Sequence, residues 1–240
     1  MTNAVLLDNV THKDLRVKVG HSAEFGDNVN MVLVFPTEFT FVQREYPILF
    51  RKDSTEGFQA VALLGFDKGE NLFLGDADWN ARYVPAVQQR GPFLIGIHQQ
   101  AGGAEEMIHV DLDHPRISQA EGEPVFLKHG GNSPYLQHVN RMLQLILDGA
   151  EIAKPMFKTF EEMGLIESVE LNVRLDEQVE YNLPDFFTVN TERLSALDGT
   201  SLERLNRAGY LKLAWMVAES LGNIDGLVQL KNRKRKALQI

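Results

Sequence analysis

The stretch GGNSPYLQHVNRMLQLILDGAEIAK, residues 130–154, divides the chain into two textures. Ser133 suits a helix N-cap, because its hydroxyl can accept a backbone N–H that the first turn leaves unpaired. Pro134 suits the first helical position, where no N–H is needed. Behind them Leu136, Val139, Leu143 and Leu147 recur at helical spacing, and Met142 and Ile146 widen the stripe. Gly149 or the Lys154-Pro155 step is expected to end this helix, since proline disfavours helical geometry in the residue before it. FKTFEEM (157–163) then reads as a second short helix closed by Gly164.

Before this stretch the chain has the texture of short strands. DLRVKV (14–19), MVLVF (31–35), YPILFR (46–51), FQAVALLGF (58–66), NLFLG (71–75), PFLIGI (92–97), EMIHVDLD (106–113) and PVFLK (124–128) are rich in Val, Ile, Leu and Phe. Gly, Asp, Asn and Pro bound them. One short helix near Ala77 to Gln89, limited by Pro85, interrupts them. After it, ESVELNVRL (167–175) alternates apolar and charged residues as an edge strand would, and is expected to find its sheet partner in the first half. Asn190 or Thr191 can cap a short helix, Thr200 with Glu203 reads as a capping box, and a third helix runs from Tyr210 to Leu221. Leu211, Trp215 and Leu221 are its expected buried residues. The fold class is therefore α+β: a β-rich half (1–130) packed with a mostly helical half (131–240), one domain and one compact unit.

Composition narrows the function classes. A hydrophobic fraction of 44% supplies a real core, and no cysteine is present, so disulfides, thiolate metal sites and a cysteine nucleophile are excluded. No window reaches the roughly 18 to 20 apolar residues of a membrane helix, and the amino terminus lacks a basic, apolar leader pattern. A cytoplasmic location without membrane insertion is the expectation. The net charge of -9 repels nucleic acid over most of the surface. KNRKRK (Lys231 to Lys236) is the exception and reads as a solvated helix end, where cations suit the dipole.

Phe187-x-Val189, Leu194-x-x-Leu197, Leu202-x-x-Leu205 and Gly209-x-Leu211 together resemble the carboxyl-terminal signature of the SapC family. FGDN (25–28), EFTFVQREYPILFRKD (38–53) and FQAVALLGFDKGENLFL (58–74) are similar to its first half. The resemblance runs over nearly the whole chain. It implies a bacterial protein of the kind found beside surface-layer secretion genes, flavin-dependent halogenases, cupin-like oxygenases or TonB-dependent receptors. Relatives are also labelled as peptide or drug transporters, a label at odds with a chain that has no span. The family supplies no catalytic residues to carry over.

MIHVDLDH (107–114) is the strongest lure toward chemistry. His109 and Asp111, two apart on a strand, point the same way, as two ligands of a non-haem iron oxygenase would. The third ligand would be His129 or His138, and Arg141 or Arg174 could hold a 2-oxoglutarate carboxylate. His138 sits on a helix, however, the wrong element for that barrel. Equally, Met107, His109, Asp111 and Asp113 form one polar strand face, with Ile108, Val110 and Leu112 on the buried side. This reading explains the pattern with fewer parts.

QQAGGAEE (99–106) and KHGGNSP (128–134) lack the residues of a phosphate loop, and GDADWNARYVP (75–85) lacks the closing Glu of a calcium loop. Trp79 and Tyr83 read as core aromatics. Asp148 with Glu151, and Glu161 with Glu162, read as solvated helix charge. No cofactor is indicated. The first expectation is a non-enzymatic accessory or binding protein with a protein or peptide partner, serving a surface-layer, peptide-modification or nutrient-uptake system. The alternatives are a metal-dependent oxygenase using His109 and Asp111, and a homo-oligomeric structural module.

Overall fold

A computed structural model describes residues 3–75, 78–100, 103–177 and 179–237. In chain order the elements are β1 (Ala4–Leu6), β2 (Arg16–Val17), β3 (Met31–Leu33), α1 (Phe39–Val42), β4 (Ile48–Asp53), β5 (Gly57–Leu63), α2 (Ala86–Gln89), β6 (Phe93–Gln100), β7 (Gly103–Asp111), β8 (Ile117–Ser118) and β9 (Glu123–Pro124). They continue with α3 (Pro134–Glu162), β10 (Ile166–Arg174), β11 (Glu180–Val189), α4 (Thr191–Ser195), α5 (Gly199–Arg207), α6 (Tyr210–Ser220) and α7 (Ile224–Ala237).

The strands form three antiparallel sheets, ordered β10-β11-β4-β5-β3, β1-β7-β6 and β8-β2-β9. Two cores follow from them. The larger gathers Ile48, Leu49, Phe50, Leu63 and Leu64 against Met156, Phe157 and Phe160 of α3 and the carboxyl-terminal helices. The smaller gathers Val17, Phe93 and Val110 against Leu136, Val139 and Leu143, from the other end of α3. One helix thus serves both cores, and sheets and helices make one compact α+β unit.

That helix is longer than its sequence signals. Ser133 caps it as expected, accepting from Leu136 N at 3.1 Å, with Pro134 following. It then runs through Gly149 and Pro155 to Glu162, so FKTFEEM is its last part and not a second helix. Gly149 marks a close approach: a Cβ there would stand 2.5 Å from Phe35 Cβ and 2.6 Å from Thr37 Oγ1. Pro155 costs a helix roughly 3 kcal/mol. Burying Met156, Phe157 and Phe160, at roughly 1.5–3 kcal/mol each, outweighs that cost.

Other expectations shift for local reasons. ESVELNVRL does form an edge strand, β10, but its partner is β11, reached by a hairpin, and among the described residues the ladder pair Phe187↔Phe50 joins β11 to β4 of the first half. Pro184 and Asp185 hid β11 in the sequence. Between Leu183 and Phe186 the register shifts against Val169 and Leu171, and Asp185 takes a φ of 65°, so both residues sit in a bulge where no ladder N–H is required. NLFLG is a turn with a single bridge, Leu74↔Trp79, and the helix expected near Ala77 to Gln89 shrinks to Ala86–Gln89. Asn190 caps α4, but α5 is capped by Asp198, whose carboxylate accepts from Ser201 N at 2.7 Å. Glu203 pairs instead with Arg207 one turn later, at 2.6 Å. On α6 the buried positions are Ala214, Val217 and Ser220, whereas Trp215 is 39% exposed.

The basic run is the larger correction. Lys231 is buried, and its ammonium donates to Asp67 and, at 2.8 Å, to Glu70. Burial opposes its charge, but these carboxylates overcome that and hold its pKa above the usual lysine value. Lys234 lies 3.4 Å from Glu70, and Arg235 2.7 Å from Asp176. The run fastens α7 to acidic loops of the main sheet, so several of its cations face partners within the chain. No helix among the described residues is long and apolar enough to cross a membrane.

Candidate functional site

His109 and Asp111 lie on β7, the central strand of its sheet. The expected division of faces is present: Val110 is fully buried, and Ile108 and Leu112 pack on the smaller core. The same core holds Leu136, Val139 and Leu143, so α3 covers the Val110 face and His109 faces the other side. The His109 ring lies over Gly96 of β6, where a Cβ would come within 2.4 Å of it, and Nδ1 is 3.1 Å from Met107 O. Asp111 Oδ1 accepts from Asn3 N and Asp113 N. His138 belongs to α3 and lines a different cavity with His21. The structure therefore places His138 apart from the His109 and Asp111 pair, and among the described residues no group of three or more His, Asp or Glu could hold a metal ion.

Replacing both His109 and Asp111 with Ala is expected to cost no more than about 1 kcal/mol in urea unfolding, because each is half-exposed. Iron or zinc in stoichiometric amount in the wild type, lost in the double variant, would revive the oxygenase reading.

The chemistry-bearing residues that the sequence did not single out are buried instead. Asp27 and Arg116 are 1% and 5% exposed and meet at 2.9 Å. Ser22 N also donates to Asp27 Oδ2, and Arg116 Nη1 donates to the carbonyls of Lys18 and Gly20. The guanidinium lies 4.4 Å from the Phe25 ring centroid. Glu38, fully buried, accepts from Phe35 N, Ala86 N and the Tyr83 hydroxyl. Trp79 Nε1 donates to Tyr46 Oη, which donates to Tyr83 O. Trp79 and Tyr83 thus serve the core. Asp27 falls within FGDN, and Glu38 and Tyr46 within EFTFVQREYPILFRKD, two of the stretches that carry the family resemblance.

Two concavities adjoin these groups. One is a cavity of about 230 Å³ at the seam of the two cores, where His21, Arg116, Tyr135, His138 and Gln88 stand among apolar residues such as Val19 and Val84. His21 stands edge-on to Trp79 of the larger core, and Tyr135 tilts against Phe93 of the smaller. Burial, with help from nearby Arg141, keeps the His138 pKa below its usual value, and burial pushes the Tyr135 hydroxyl up to about 12 against the pull of Arg116.

The other is an apolar groove of about 290 Å³ between the carboxyl-terminal half of α3 and the β3 and β5 strands. Leu33, Phe35, Phe58, Ala153 and Phe157 line it, and Lys154, Lys158, Glu56 and Glu161 stand at its rim. Leu33 is 38% exposed, and β3 is a sheet edge. Val34 N bonds Ala60 O and Leu64 N bonds Asn30 O, so alternation turns the backbone groups of Met31 and Leu33 away from β5.

The remaining candidates have local explanations. Gly130 and Gly131 of KHGGNSP both take φ near +88° in a turn closed by Leu127, a conformation that favours glycine. Residues 101–102 of QQAGGAEE and 76–77 of GDADWNARYVP lie outside the described residues. Asp148 accepts from Gln144, Glu162 pairs with Arg204, and Arg174 Nε donates to Asp176 O.

Fold and concavities define an α+β protein built around a two-core helix, with a cavity at the seam of the cores and an apolar groove beside β3. The SapC family model matches residues 7–227, and the chain belongs to that family. No curated protein and no solved structure matches it.

Proposed function

We propose that this SapC-family protein is a non-catalytic accessory protein that captures an extended apolar segment of a peptide or protein partner in the groove beside β3. The observation that supports it is the groove itself: a sheet edge flanks an apolar floor that is open to solvent. An added strand gains main-chain hydrogen bonds from such an edge, and its alternate side chains find the apolar floor. The rim of two lysines and two glutamates would favour a partner segment carrying both signs of charge near its apolar residues. The family's neighbourhood of surface-layer and uptake genes suggests a cytoplasmic role in a surface-layer, peptide-modification or nutrient-uptake system.

Filling the groove tests this. Ala153 is half-buried in its wall, so Ala153→Arg places a long cation where a partner side chain would sit. Peptides selected from a displayed random library on the wild type are expected to carry alternating apolar residues. They should bind the variant at least about ten-fold more weakly, a loss of roughly 1.4 kcal/mol. A library that yields no binders, or binders indifferent to the substitution, would remove the groove from consideration.

A further inference from the structure

The cavity at the seam of the two cores carries an inference separate from the groove. Its charge sets it apart. The chain has a net charge of -9, yet none of the described residues lining this cavity is Asp or Glu. The polar groups lining it are one arginine, two histidines, one tyrosine and two glutamines, a set dominated by hydrogen-bond donors.

Arg116 is built in rather than placed on a surface. It is 5% exposed and is anchored by Asp27 at 2.9 Å and by the carbonyls of Lys18 and Gly20. A guanidinium has five N–H groups, and these bonds use three. His21 lines the same wall, with its Nδ1 turned to Asp27 Oδ2 at 3.4 Å. Gly91, with φ at +56°, lines the same wall beside the Tyr135 hydroxyl. Tyr135 stands on the first turn of α3, the positive end of a 29-residue helix, and His138 at the start of the second turn.

We infer that this cavity binds a small oxyanion-bearing molecule, a carboxylate or a phosphate, with Arg116 supplying the charge and Tyr135 and His138 the orienting hydrogen bonds. A volume of about 230 Å³ admits a compact acid and excludes a nucleotide or a peptide. Asp27 beneath Arg116 fixes the guanidinium and does not line the cavity.

The test is calorimetric titration of the full chain with inorganic phosphate, and separately with acetate and with succinate, at ionic strength held constant with sodium chloride. One class is expected to bind saturably, one per chain, with a dissociation constant below about 10 mM. Phosphate binding alone, or carboxylate binding alone, identifies the source. Tyr135→Phe and His138→Ala remove single polar groups from half-buried side chains, and each is expected to weaken binding about ten-fold with the fold intact by circular dichroism. Imidazole resonances of His21 and His138 in the wild type should shift on titration. Absence of saturable binding by all three probes, or binding that leaves both imidazoles and both variants unaffected, would overturn the assignment.

Discussion

Asp27→Ala is expected to destabilise the protein by about 3–5 kcal/mol, a large part of the roughly 5–15 kcal/mol that holds a domain folded. The magnitude follows from what the substitution leaves behind. Asp27 is 1% exposed, and its Oδ2 accepts from Arg116 Nη2 and Ser22 N, both at 2.9 Å. Removing the carboxylate strands a guanidinium that is 5% exposed, and a buried charge without its counterion costs far more than the pair gains. The double variant Asp27→Ala with Arg116→Met removes both charges and should recover much of the loss, because an ion pair replaced by apolar groups is often close to neutral. Guanidinium unfolding of the four proteins in the cycle gives the coupling directly. A cost for Asp27→Ala below 1 kcal/mol would mean that Arg116 finds another anion or water, and the pair is not the tie inferred.

The same pair shows why the fold was legible in the sequence and the polar interior was not. Ser133-Pro134 and the stripe from Leu136 to Leu143 announce α3 because cap, proline and period are local signals. The alternation in MIHVDLDH likewise gave the correct faces of β7, and that in ESVELNVRL an edge strand. Errors arose where a local rule met a tertiary contact. Pro155 and Gly149 are helix breakers by propensity, but packing of Phe157 and Phe160 beyond the proline and of Phe35 against the glycine carries the helix through both. Lys231 read as solvated because its partners, Asp67 and Glu70, are more than 160 positions away. Asp27 and Arg116 are 89 apart, and neither stands in a motif that forecasts a mate. His138 was considered only beside His109, whereas its cavity neighbour is His21, on a loop with no pattern at all. Within the candidate sites, apolar residues such as Phe58 and Phe157 were visible as core, and nothing local said that a groove would stay open beside them.

Glu38→Ala is the second large effect, with a pH dependence that identifies its cause. The Glu38 carboxylate, fully buried, accepts three bonds: Phe35 N at 3.1 Å, the Tyr83 hydroxyl at 2.8 Å and Ala86 N at 2.9 Å. Alanine leaves these donors without their acceptor and a cavity where the side chain stood. At roughly 1–3 kcal/mol for each buried group left unsatisfied, a loss of about 3–5 kcal/mol is expected. Burial pushes the carboxyl above its ordinary value of 4.5, against the three donors that pull it down. A carboxyl that holds its proton more tightly when folded gains relative stability on acidification, from above its folded pKa down toward 4.5. Ionised Glu38 therefore carries a penalty at neutral pH that alanine does not share. The stability gap between wild type and Glu38→Ala should widen as pH falls from 7.5 toward 4.5, and every other titrating group contributes equally to both proteins and cancels in the difference. Urea unfolding at steps across that range measures it. A gap that narrows on acidification would show that the three donors outweigh burial and that Glu38 is held as a carboxylate more firmly in the folded chain than in water.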